Sequence, residues 1–279
     1  MNAQDYISRL KGFDGSALLL CEHCGAETPA KGTSGICSNC ESMIFTSRKM
    51  LQARDHMLLD ALDRINSSMG NSEYENATKI YEGLIAERKD PALMYAAAIA
   101  YLRHSNYEIS QIGYAKPGFM EENSAHRDRA SKLVSSAKRL LARLIRITTN
   151  DMSSGNEAQN VAYTRFLAQI KMGSLRGAKH SMGMLQKTDR DCVYEYAGIV
   201  YDSHTGKYEG IVKAAESLML KENFPINTFY YLGFALFKKG NAKDAKSVLQ
   251  ELAKRIKNGN LDALIFEVDY QLNAITGIL

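Results

Sequence analysis

The sequence predicts a mainly α-helical protein, an α-solenoid of helical hairpins preceded by a small β module, and three observations predict it. Four of its five cysteines fall within twenty positions, between residues 21 and 40. From about residue 50 onward, apolar residues recur at i, i+3, i+4 and i+7, with only Pro91, Pro117 and Pro225 as prolines. Within that region a short glycine-centred loop repeats at Gly173, Gly206 and Gly240, at separations of 33 and 34 residues. Composition agrees with a folded chain: 279 residues, 45% hydrophobic and 24% charged, lie outside the disordered and collagenous ranges. At this length one or two domains are expected, with a sizeable core.

The N-terminal module spans residues 1–48 in this reading. Cys21 and Cys24 form one Cys-x2-Cys pair, and Cys37 and Cys40 form a second after twelve intervening residues. Each pair lets one tight turn present two thiolates, so together they supply a closed, four-coordinate tetrahedron of the kind structural zinc takes. Gly25, directly after the first pair, suits such a turn, and the Pro, Gly and Ser content between the pairs suits a hairpin loop. Residues 17–45 therefore resemble a zinc ribbon, which implies structural zinc as cofactor. Iron in a rubredoxin-like site fits the same four ligands. A catalytic zinc does not, because four cysteines leave no position for water. Disulfides would require an oxidising compartment, for which the sequence gives no sign. His23 is expected to be exposed and not a ligand, and Cys192 to be a small apolar residue.

The helical repeats span residues 49–279. Loops of one design recur at Gly173, Gly206 and Gly240, and going backward Ser105-Asn-Tyr107 begins 68 residues before Gly173. Phe229 to Leu249 carries Leu232-Gly233, a turn glycine at Gly240 and a small residue at Ala245. In these residues the sequence resembles a tetratricopeptide repeat, TPR, which implies stacked helical hairpins whose first helices line a concave surface. Stacking is needed because one hairpin cannot bury its own apolar face. The period breaks between residues 108 and 155: Ile109 to Gly118 reads as a loop, and about 122–149 as one long helix. The last stretch, Asn260 to Ile278, reads as a capping helix, with Leu261, Leu264, Ile265, Val268, Leu272 and Ile275 on one face.

No phosphate loop, metalloprotease motif, nucleophile elbow or dinucleotide fingerprint is found, so no enzyme activity is expected. Placed on the TPR pattern, Tyr95, Tyr163, Tyr196 and Tyr230 fall at one inward position. One turn on come Ile99, Leu167, Val200 and Phe234, and at the groove edge Arg103, Lys171 and Lys238. These eleven residues are the expected partner-binding groove, an apolar floor with tyrosine hydroxyls and a basic edge that suits another protein's segment, including an acidic one. The alternative is that the tyrosines are core. On the long helix, Lys132, Arg139, Arg143 and Arg146 share a face and form a candidate anion-binding surface.

The expectation is a non-enzymatic adaptor or scaffold for protein–protein interaction, in the cytoplasm. The alternative is a nucleic-acid-associated factor using the ribbon and the basic helix for phosphate contacts. Thirty-five basic against 31 acidic residues leave only +4, which does not by itself argue for a polyanion partner. No membrane partner is expected: no window approaches the roughly 18 apolar residues a spanning helix needs. Asp5 and Asp14 interrupt the N-terminal stretch where a secretory signal would be apolar.

Overall fold

A computed structural model describes residues 1–112, 120–149, 155–186 and 192–256. The chain is mainly helical, with a small two-hairpin β region near its start. Helix α1 (Ala3–Lys11) begins at a capping box: the Asn2 side chain accepts from the Asp5 N–H, and Asp5 accepts from the Asn2 N–H. Strands β1 (Ala17–Leu20) and β2 (Glu27–Ala30) pair antiparallel, with Ala17 opposite Ala30 and Leu20 opposite Glu27. Strands β3 (Gly35–Ile36) and β4 (Met43–Ile44) form the second hairpin. The Ser38 N–H donates to Thr28 Oγ1 at 2.9 Å, and Leu20 N–H to Thr46 O at 2.8 Å, so the two hairpins are tied together.

Eleven further helices follow among the described residues: α2 (Arg48–Arg54), α3 (His56–Gly70), α4 (Tyr74–Glu87), α5 (Pro91–Ile112), α6 (Met120–Thr149), α7 (Gly155–Lys171), α8 (Leu175–Leu185), α9 (Val193–Thr205), α10 (Tyr208–Leu218), α11 (Thr228–Lys238) and α12 (Ala242–Ile256). From α3 to α12 each helix packs on the next in sequence, giving five successive hairpins. The first helices of neighbouring hairpins also touch, α5 on α7, α7 on α9 and α9 on α11, so they form one continuous layer. The expected turns at Gly173, Gly206 and Gly240 separate α7 from α8, α9 from α10 and α11 from α12, with φ of 72°, 74° and 84°. A left-handed turn strains any side chain, which is why glycine recurs there. Ala178, Ile211 and Ala245, each five residues after its turn glycine, are fully buried, and a Cβ on Gly233 would sit 2.7 Å from Leu249.

The long helix near 122–149 is present as α6, and its buried stripe runs through Ala130, Ala137, Leu141 and Leu144. The expected loop from Ile109 is corrected in part: α5 continues to Ile112, and residues 113–118 lie outside the described residues. The expected capping helix at 260–278 also lies outside them. It is α1 that packs on α12. Tyr6 and Leu10 are buried, the Tyr6 hydroxyl donates to Glu216 at 2.7 Å, and Phe13 meets Phe224 edge-on at 5.3 Å. No helix among the described residues is long and apolar enough to cross a membrane.

Candidate metal centre and the helical face beneath it

The two cysteine pairs sit in loops of matching backbone design. In the first, the Cys21 N–H donates to Ala26 O (2.9 Å) and the Gly25 N–H to Cys21 O (3.0 Å). In the second, the Cys37 N–H donates to Ser42 O (2.8 Å) and the Glu41 N–H to Cys37 O (3.0 Å). The turn closes with a left-handed residue in both cases, Gly25 at φ 78° and Glu41 at φ 60°. All four thiols are buried; Cys21 and Cys40 sulfurs lie 3.6 Å apart, as do those of Cys24 and Cys37, and the whole set falls within 4.8 Å. A tetrahedron with metal–sulfur bonds of about 2.3 Å has edges of about 3.8 Å, so the donors fit a four-coordinate metal.

The surroundings suit thiolates. The Asn39 backbone N–H donates to Cys37 Sγ at 3.3 Å and its side-chain amide to Cys24 Sγ at 3.2 Å. Such N–H contacts stabilise sulfur-centred negative charge and orient the ligands. Burial pushes the Cys21 and Cys37 thiols well above the ordinary range, which favours protonated sulfur unless a cation supplies the compensating charge. His23 corrects the expectation of exposure: its side chain is only 12% exposed, with Nδ1 3.7 Å from Cys21 Sγ and Nε2 3.5 Å from Asp90. Burial opposes its charge, yet the Asp90 carboxylate outweighs that and raises its pKa. His23 is thus a buttress beside the cluster and not one of its four ligand residues.

The larger correction concerns the expected groove. Tyr95, Tyr163, Leu167, Tyr196 and Val200 are buried, not open to a partner. Ile99, Arg103, Lys171, Tyr230 and Phe234 are half-buried, and Lys238 is exposed. The physical reason is that the β region sits on the face where these residues converge. Arg103 Nη2 donates to Asn39 O at 2.8 Å, Asn227 Nδ2 to Cys37 O at 3.0 Å, and the Tyr196 and Tyr231 hydroxyls to one oxygen of Glu41 at 2.9 and 2.7 Å. A Cβ on Gly25 would lie 2.7 Å from Leu62 O, so α3 also presses on the first cysteine loop. Burial, reinforced by the negative Glu41 nearby, raises the pKa of Tyr163, Tyr196 and Tyr231 far above the phenol value. The hydroxyl of Tyr163 has no hydrogen-bond partner among the described residues.

Tyr231, not Tyr230, is the tyrosine of α11 that reaches the β region, while Tyr230 packs against it with ring centres 5.1 Å apart. One residue is about 100° of helix rotation, and a repeat period of about 34 does not resolve that step when both neighbours are tyrosine. Asn39, Glu41, Asp90 and Asn227 were not singled out from sequence. Glu41 carried a signal: it occupies the position that Gly25 holds in the first loop.

Lys132, Arg139, Arg143 and Arg146 are all exposed on α6, and none forms an ion pair among the described residues. Arg139 and Arg143 line a cleft with Lys89, whereas Lys132 and Arg146 do not. Compared with protein-family models, curated proteins and solved structures, the chain matches none of them.

Proposed function

We propose that the chain is a non-enzymatic, cytoplasmic adaptor: a TPR-like α-solenoid of five hairpins wrapped on its own structural zinc ribbon, which holds a partner protein on the outward surface of its early repeats. Support for the architecture comes from in-order packing, the glycine turns, and the layer formed by α5, α7, α9 and α11. Support for zinc comes from the all-sulfur donor set and the edge lengths. Cys21, Cys24, Cys37 and Cys40 form no disulfide, which fits a reducing compartment. Because the β region contacts the face where the expected groove residues converge, the partner is assigned elsewhere. The observation that carries this is the convergence of Lys89, Arg139 and Arg143 on one cleft, with no ion pair to any of them among the described residues.

The exposed arginines of α6 favour one second reading, phosphate contacts to nucleic acid. Titrating the metal-loaded full chain against mixed-sequence DNA and RNA at rising salt tests both. The adaptor reading predicts weak binding with a shallow salt slope. A steep linear fall of log affinity with log salt, abolished by charge reversal at Arg139, Arg143 and Arg146, would overturn it in favour of the second.

A further inference from the structure

Two adjoining hollows lie along α6, one against α4 and α5 and the other against α5 and α7. The larger, about 420 Å³, is lined by Ile85, Ala86 and Leu140 on its apolar side and by Lys89, Arg139 and Arg143 on its charged side. That volume lies inside the range of ordinary ligand pockets. The smaller, about 330 Å³, is lined by Met94, Ile147 and Val161 with Glu157 at its margin. Lys89 and Arg143 belong to both, so two cations stand between two apolar depressions. Ile147 is 37% exposed, an apolar side chain left without full cover.

We infer that this double hollow binds an acidic peptide segment of a partner protein, with one carboxylate between Lys89 and Arg143 and an apolar side chain in each hollow. This rests on the adaptor reading above and names the chemistry of the partner. Arg presents a planar fork that matches a carboxylate with two parallel N–H donors, and Lys adds a point charge at the same locus. Burying an apolar group on either side excludes water from that pair and strengthens it. Nucleic acid fits less well. Glu82 and Glu157 stand on the walls and repel any anion, so a continuous run of phosphates is opposed more than a single carboxylate seated between Lys89 and Arg143. The one aromatic ring among the described lining residues, Tyr101, is 8% exposed and donates its hydroxyl to Glu82, so it offers no stacking platform for a base.

The test is fluorescence anisotropy of the full, metal-loaded chain with a labelled synthetic peptide in which paired glutamates are flanked by leucines. The same peptide with glutamines, a glutamate peptide without leucines, and a mixed-sequence single-stranded oligonucleotide serve as comparators. The glutamate–leucine peptide is expected to bind at least tenfold more tightly than either peptide comparator. Lys89→Glu with Arg143→Glu is expected to weaken it by tenfold or more, and Arg139→Glu, which lines only the larger hollow, by less. All three side chains are exposed, so thermal unfolding should be unchanged, and a folded variant that binds normally overturns the proposal. Equal binding of the glutamine peptide, or tighter binding of the oligonucleotide lost in the same variants, overturns it as well. If the peptide fails while DNA and RNA binding also stays weak, the acidic-peptide chemistry is overturned, while the assignment of a partner protein to this cleft is not.

Discussion

Replacing Glu41 by glycine asks whether the ribbon is held by the helices or merely rests beside them. Considered as a turn, position 41 should prefer glycine. A non-glycine residue at φ 60° costs about 1–2 kcal/mol, and Gly25 shows what the same turn looks like without that cost. Considered as a contact, Glu41 accepts the Tyr196 and Tyr231 hydroxyls at 2.9 and 2.7 Å, and both rings are buried. Hydrogen bonds to a charged acceptor contribute about 1.5–3 kcal/mol each; because Glu41 is only half-buried, the lower end applies, about 3 kcal/mol for the pair. Subtracting the relieved strain and adding the extra unfolded-state freedom of glycine, about 0.7 kcal/mol, leaves Glu41→Gly less stable by about 2 kcal/mol. Urea unfolding, with metal content measured alongside, reads this as a lower midpoint. Glu41→Gln, which keeps an acceptor, should lose less. In a double-mutant cycle with Tyr231→Phe, the coupling should be about 1 kcal/mol or more. A Glu41→Gly variant as stable as the parent, or more stable, with metal retained, would refute the claim that this carboxylate anchors the ribbon.

Tyr163→Phe should be neutral or slightly stabilising in thermal unfolding, since it removes a buried hydroxyl that has no partner among the described residues, whereas Tyr163→Ala should cost about 3–5 kcal/mol through a cavity. Charge reversal of Arg139, Arg143 and Arg146 together should change stability by no more than about 0.5 kcal/mol per site, measured by urea midpoint, because none of them is ion-paired among the described residues. Stability should also fall on acidification in two stages. Burial lowers the His104 pKa below 6.5 despite Glu108 beside it. Burial works against the Glu108 charge, but His126 and Arg129 outweigh it and hold its pKa below 4.5. Both groups are therefore harder to protonate in the folded chain than in the unfolded one. Their contribution is complete above the unfolded values and is lost as pH drops through the folded ones, first for His104 and then for Glu108. His104→Gln should flatten the first stage in a pH series of melting temperatures, and an unchanged slope would count against it.

Much of this was legible in the residues. Cysteine spacing marks a four-thiol site because each Cys-x2-Cys turn presents two thiols side by side and two such turns supply a tetrahedral set. Glycine recurs because left-handed turns exclude side chains, and those turns are where Gly173, Gly206 and Gly240 lie. The inward position of Tyr95, Tyr163 and Tyr196 follows from the tetratricopeptide pattern that the sequence resembles. What covers them does not, because amphipathic spacing says which face is turned from water and never what excludes the water. The covering element lies more than 150 residues away from Tyr196 in sequence, at Glu41. The packing of α1 on α12 was hidden for the same reason: Tyr6 and Leu10 mark an apolar stripe, but its partner is at the other end of the described chain.

The contacts that Arg103, Tyr196 and Tyr231 make with the cysteine loops lead us to expect that a metal-bound ribbon is the core on which the helical layer closes. Hydrogen exchange of the full chain, with metal bound and after removal by a chelator under reducing conditions, tests it most directly. The account predicts one metal per chain, held by Cys21, Cys24, Cys37 and Cys40. Its loss should speed exchange not only in residues 17–46 but also in α5, α9 and α11, whose side chains meet the ribbon. If the ribbon alone loses protection while those helices keep theirs, the ribbon is a separate bead on a self-sufficient helical stack and the account is wrong.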